Sequence, residues 1–239
     1  MDYACYGRPG GPKVTPQEFI RRASPRYKER GIFPYCEACN ERVDLYGVHT
    51  PGGPTRFDHA NLPEKADPLD DCILANRTPR FQGMQPSNFD IEHGKELRKN
   101  FFEHENLKRA YCFMWKLCGK GNLPIKTVKK CLSRADRKRI WDYSDIPLWC
   151  IPYILLTLEN FTHCNGFKFH FYIKKKKTSY IDDIWNGYNT TLRKVFTETG
   201  DLMISKFVEN PLDISLSKYN EVTNDHSWVL DNVIDMIKN

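Results

Sequence analysis

Cys36, Cys39, His59 and Cys72 have the residue types and the order of a metal site. A Cys-x2-Cys pair puts two thiolates on one tight knuckle, and a later histidine and cysteine complete a tetrahedron around Zn²⁺. Four protein ligands leave no open position, so the chemistry expected of one such zinc is structural, not the activation of a water. The intervals of 19 residues before His59 and 12 before Cys72 match no standard finger. His49 is a rival for the histidine position. Turn residues support the chain reversals required: Pro34 and Asn40 bracket the knuckle, and Pro51-Gly52-Gly53-Pro54 precedes His59.

Charged and aromatic residues surround these ligands. Arg56 stands in Arg56-Phe57-Asp58-His59, and Arg77 and Arg80 follow Cys72. Guanidinium groups grip phosphate in pairs of hydrogen bonds and stack on bases, which suits single-stranded RNA. Tyr46, Phe57 and Phe81 are possible stacking platforms, although a module this small needs Tyr46 and Phe57 for its own core.

The charge distribution points the same way. The chain of 239 residues carries a net +6, but residues 94–145 alone hold 14 basic and 6 acidic side chains, whereas residues 178–239 hold 5 and 10. Much of the positive charge lies on a basic amphipathic helix expected over 125–141. There Lys129, Lys130, Arg134, Arg137 and Lys138 are further candidates for RNA contact.

For catalysis the sequence offers histidines. Cleaving RNA without a metal needs a base for the 2′-hydroxyl, an acid for the leaving oxygen and a cation for the phosphorane. His93, at the start of a helix near Arg98 and Lys99, is the candidate base; His163 and His170 lie near the Lys174–Lys177 tip. Asp182-Asp183 reads as the acidic start of a helix. No PD-(D/E)xK, His-Asn-His, P-loop or GxSxG pattern occurs.

The elements that must position these residues give an α+β chain, mostly helical, in which a small zinc-stapled β module precedes a basic helical domain with a few strands. The divisions expected are a basic N-terminal arm or helix over 1–31, a zinc-finger module over 32–80 and a mainly helical domain over 91–239, basic to 177 and acidic after it. A helix over 16–30 has Thr15 as N-cap and Pro16 first, and Pro25 ends or kinks it. Val43 and Leu45 form a small hairpin with Ile32-Phe33. One long helix covers 92–118. Phe167, Phe169, Phe171 and Ile173 alternate with Lys168, His170 and Tyr172 as a half-buried strand. A helix over about 180–198 starts from a Ser179–Asp182 capping box, and a last one begins at Asn224 with Trp228, Ile234 and Ile237 inward. The apolar run from Ile146 to Leu158 is too short to span a bilayer and reads as core, so no membrane is expected as a partner. The first residues lack the apolar stretch of a secretory signal, and nine cysteines is an odd count. A reducing cytoplasm follows, with free thiols at Cys112, Cys118, Cys131, Cys150 and Cys164.

The Cys-x2-Cys followed by Arg56-Phe57-Asp58-His59 resembles the zinc-binding front of competence CoiA-like proteins. Their Cys-x2-Cys precedes a His-Phe-x-His, so here Cys72 supplies the ligand missing at Arg56. In size, in one finger near the front and in a basic remainder, the layout resembles the ring-activated zinc-finger ribonucleases of bacterial antiphage defence. That resemblance implies a cytoplasmic effector that docks onto ring-forming phage proteins such as portals, forms a homo-oligomer on them and cleaves RNA through a site involving the finger. A non-catalytic nucleic-acid-binding or adaptor protein and a DNA-processing CoiA-like protein are the alternatives.

Overall fold

The structure is a computed structural model that describes residues 1–48, 50, 53–61, 66–75, 77–175, 180–187, 189–204 and 208–239. The chain is α+β, with seven α-helices and three small sheets among the described residues. It divides into Met1–Gln82 and Gly83–Asn239.

The first unit is built from short pieces. Strands β1 (Ala4–Tyr6), β2 (Lys13–Val14) and β3 (Pro34–Tyr35) make an antiparallel sheet in the order β2-β1-β3. Helix α1 (Pro16–Ala23) begins at a full capping box, in which Thr15 accepts from the Glu18 amide and Glu18 accepts from the Thr15 amide. It is shorter than the sequence suggests, because Ser24 leaves helical geometry just before Pro25. Residues 1–31 are therefore no separate arm. They share a core with the finger, where Phe19 packs against Tyr6, Tyr27 and Phe57 at centroid distances of 5.4, 5.3 and 6.0 Å. Strands β4 (Val43–Tyr46) and β5 (Arg56–His59) pair with each other, Val43 opposite His59 and Tyr46 opposite Arg56. Ile32-Phe33 is not the hairpin partner of Val43 and Leu45; β3 belongs to the first sheet instead.

The second unit packs helices α2 (Ile91–Phe101), α3 (His104–Cys118), α4 (Ile125–Arg137) and α5 (Ile151–Thr157) with an antiparallel sheet, β6 (Asn160–Thr162), β7 (Lys168–Lys174), β8 (Thr191–Phe196) and β9 (Leu212–Asp213). Helices α6 (Leu216–Thr223) and α7 (Asp231–Lys238) complete it. Every residue of α5 is buried, which explains the apolar run. Among the described residues no helix is long and apolar enough to cross a membrane.

Four helix expectations are corrected. The single helix over 92–118 is two, separated at Phe102-Glu103 where Phe101 and Phe102 turn onto Trp141. The helix over 125–141 ends at Arg137, and a 3₁₀ turn follows over Ile140–Asp142. The helix over 180–198 is a 3₁₀ turn over Ile181–Ile184, then β8; Gly187 intervenes at φ 85°. Ser179, offered as its cap, lies outside the described residues. The last helix from Asn224 is replaced by α6 and α7, with Ile234 and Ile237 buried but Trp228 partly exposed against Trp115.

Gly94 is a close-approach point between α2 and the Ile140–Asp142 turn. A Cβ there would lie 2.9 Å from Asp142 Cα and 3.0 Å from its amide nitrogen. Gly94→Ala is expected to destabilise the second unit by about 1–3 kcal/mol, despite the better helix propensity of alanine. Urea denaturation checks this; an unchanged midpoint refutes the contact.

Candidate metal centre

Three separate segments bring the four ligands together. After β3, Cys36-Glu37-Ala38-Cys39 folds into a knuckle closed by the Asn40 amide donating to Cys36 O at 3.0 Å, with Asn40 itself at φ 61°. An asparagine tolerates this left-handed geometry better than most residues. The Ala38 amide points at Cys36 Sγ at 3.3 Å. His59 ends β5. Cys72 lies between 3₁₀ turns over Pro68–Asp70 and Ile73–Ala75, and the Leu74 amide reaches its Sγ at 3.4 Å. Backbone N–H groups aimed at both sulfurs favour thiolate.

The ligand atoms of Cys36, Cys39, His59 and Cys72 all lie within 4.8 Å of one another. Cys36 Sγ and Cys72 Sγ are 3.7 Å apart, and Cys39 Sγ is 3.3 Å from His59 Nε2. A tetrahedron with Zn–S bonds near 2.3 Å and a Zn–N bond near 2.0 Å requires edges of about 3.8 Å between sulfurs and roughly 3.5 Å from sulfur to nitrogen. The donor set therefore fits one tetrahedral metal ion, and its three thiols suit zinc.

Electrostatics show why a cation belongs here. Hydrogen bonds with Cys36 and Cys72 pull Cys39 far down, and the same contact with Cys39, then Cys72 and burial, pushes Cys36 far up. Cys72 is lowered by Cys36, but Cys39 and burial carry it up to about 12. Three clustered thiols cannot all ionise alone; a divalent ion removes that opposition.

The surroundings of the centre revise the expected RNA grip. Arg77 is held by Asp71, with Nη2 at 2.6 Å from Oδ1 and Nε at 3.1 Å from Oδ2, and its Nη1 donates to Ala60 O at 2.5 Å. Asp71, its side chain 1% exposed, also accepts from the Cys72 amide at 2.8 Å. Arg77 thus ties the His59 segment to the Cys72 segment. Phe57 and Phe81 are buried and cannot stack on bases. Tyr46 is the reverse case: it is 47% exposed, beside Arg56, whose guanidinium lies 5.7 Å from its ring and pairs with Asp58 at 2.6 Å. Arg80 is half-buried. His49 lies outside the described residues.

In the second unit the basic helix α4 divides. Lys129, Lys130 and Arg137 are exposed, but Arg134 and Lys138 are buried and are not RNA contacts. Arg134 pairs with Glu159 at 2.9 Å and donates to Leu158 O at 2.9 Å. Arg98 grips Asp136 at 2.8 and 3.1 Å, and Asp136 also accepts from Trp141 Nε1 at 2.7 Å. His93 bonds Ile146 O through Nε2 at 3.1 Å, so Nε2 carries the proton and the ring anchors α2. Asp182 and Asp183 are buried, Asp182 Oδ2 accepting from the Ser87 amide at 2.8 Å. Lys175 turns inward to Gly83 O and Tyr180 O, and burial lowers its pKa. Lys176 and Lys177 lie outside the described residues. No disulfide joins the nine cysteines.

Comparison with known protein families, curated proteins and solved structures found no match.

Proposed function

We propose that this protein is a zinc-finger ribonuclease of bacterial antiphage defence, cytoplasmic, with the finger gripping single-stranded RNA. Assembly on a ring-shaped phage protein would activate it and RNA cleavage would block translation. The observation that carries the RNA part is the pair Arg56 and Tyr46, exposed on the hairpin that also delivers His59. A cation beside an aromatic face on a rigid, metal-closed support is what backbone and base recognition in single strands requires. The exposed Lys129, Lys130 and Arg137 add phosphate contacts. Triggering by a ring rests on the resemblance in layout, and multivalent docking supplies a reason for silence until assembly.

A second reading, a non-catalytic RNA-binding or adaptor protein, is favoured by His93, whose ring is engaged with Ile146 O. Turnover separates the two: an enzyme consumes excess RNA, a binder only shifts it. For the grip itself, Tyr46→Ala is expected to cost about 1–3 kcal/mol of RNA affinity by loss of stacking. Arg56→Ala is expected to flatten the salt dependence by about 0.7 for a single strand. Fluorescence anisotropy over a salt series reads both. Equal affinity of these variants and the native chain sinks the grip, and stronger binding to DNA than to RNA favours the DNA-processing alternative.

A further inference from the structure

Strands β7 and β8 present two faces of different character. Phe169, Phe171 and Ile173 on β7 face the core with Leu192 and Lys194 on β8. The opposite face carries Lys168, His170 and Tyr172 from β7 and Arg193 from β8, all exposed or half-buried, together with Val195, which is buried. The antiparallel register sets Tyr172 across from Arg193 and His170 across from Val195. Directly paired residues bring their Cβ atoms to within about 5 Å. The His170 and Tyr172 ring centroids are 6.5 Å apart. One patch of sheet therefore holds an imidazole, a phenol and a guanidinium, with an ammonium at its edge.

Two details go beyond composition. His170 Nδ1 lies 3.2 Å from Thr197 Oγ1, which fixes the ring; when Nδ1 donates to that hydroxyl, Nε2 is the basic nitrogen. Arg193 Nε is buried and has no hydrogen-bond partner among the described residues. A buried, unmatched guanidinium N–H is costly, and an anionic oxygen is the acceptor that would repay it.

We propose that this sheet face is the phosphodiester-cleaving site for RNA; the proposal rests on the ribonuclease reading and moves its catalytic base from His93 to His170. His170 Nε2 takes the proton of the ribose 2′-hydroxyl as that oxygen bonds to phosphorus. The bond from phosphorus to the 5′-oxygen breaks, and the Tyr172 hydroxyl gives its proton to the leaving oxygen. Arg193 and Lys168 balance the charge of the phosphorane. The products are a 2′,3′-cyclic phosphate and a 5′-hydroxyl, and neither metal nor oxidant takes part.

The test uses the full chain and an end-labelled single-stranded RNA, alone and with purified ring-shaped phage assemblies, scoring cleavage rate, end chemistry and RNA affinity. His170→Gln is expected to slow cleavage by about 100-fold or more while RNA affinity stays within about twofold, and Arg193→Gln to slow cleavage by at least as much with a measurable loss of affinity. The native chain is expected to leave cyclic phosphate ends and to spare an RNA with a single 2′-deoxy position at the cut. Should either variant melt early, Tyr172→Phe, which removes only the proton donor, takes its place. Undiminished cleavage in the variants, or ends other than cyclic phosphate, overturns this site and leaves the ribonuclease reading standing. RNA that binds and is never cut, with or without the rings, overturns both.

Discussion

Stripping the metal, or replacing Cys36 by alanine, is expected to unfold Met1–Gln82 while Gly83–Asn239 keeps its helical signal. The first unit has little else to hold it. Among the described residues its strands run two to four residues, its one α-helix has eight, and its larger buried apolar side chains are few: Val14, Phe19, Tyr27, Val43, Phe57, Leu69, Ile73 and Phe81. Units of this size commonly need a staple. The staple here joins the knuckle, the end of β5 and the Cys72 turn, three segments far apart in sequence. Without a cation, three thiols and an imidazole are left facing one another. Structural zinc in small fingers supplies on the order of 10 kcal/mol of apparent binding energy, far more than this core can replace. Metal content by mass spectrometry is expected at one zinc per native chain and well below one in Cys36→Ala. Calorimetry before and after chelation is expected to lose one thermal transition. A chelated chain that melts like the native one would show that the cluster is not structural. Asp71→Asn is expected to have a weaker version of the same effect, because it releases the Arg77 clamp and leaves all four ligands in place.

The Cys36, Cys39, His59 and Cys72 cluster, which could hold one metal ion, was the most legible part of the chain because its signal is chemical identity, and few other arrangements ask for those residue types together. The β7 strand was legible as well, since Phe169, Phe171 and Ile173 alternate with polar neighbours. Its partner β8 was not. Its inward positions are Leu192, Lys194 and Phe196, and a lysine on a core face disguises the alternation. Lys194 earns that place by donating to Leu117 O at 3.1 Å and Cys118 O at 2.8 Å at the end of α3, with Phe169 4.2 Å below. The misread helix over 180–198 follows from that one residue together with Ile181, Ile184 and Trp185, which happen to repeat at helical spacing. Charge alone misled in the same way at α4 and after Cys72: periodicity and charge runs do not say that Arg134 and Arg77 already have carboxylates of their own.

Arg134→Ala is accordingly expected to act on stability and not on RNA affinity, with a loss of about 3–5 kcal/mol in the second unit. The Arg134 side chain is 6% exposed and Glu159 only 11%, so the pair has been taken almost wholly out of water. Removing the guanidinium leaves a carboxylate in the interior, with Lys130 3.9 Å away and largely in solvent. It also removes the donor to Leu158 O where α5 ends and β6 begins. Glu159→Gln is expected to cost less than Arg134→Ala, because Arg134 keeps its hydrogen bond to Leu158 O. The double change Arg134→Met with Glu159→Leu is expected to recover much of the loss, since replacing both charges leaves neither one stranded. Urea denaturation of the three variants, read beside RNA anisotropy at fixed salt, separates the roles. An RNA affinity that falls tenfold in Arg134→Ala at unchanged stability would return Arg134 to the binding surface and refute its place in the core.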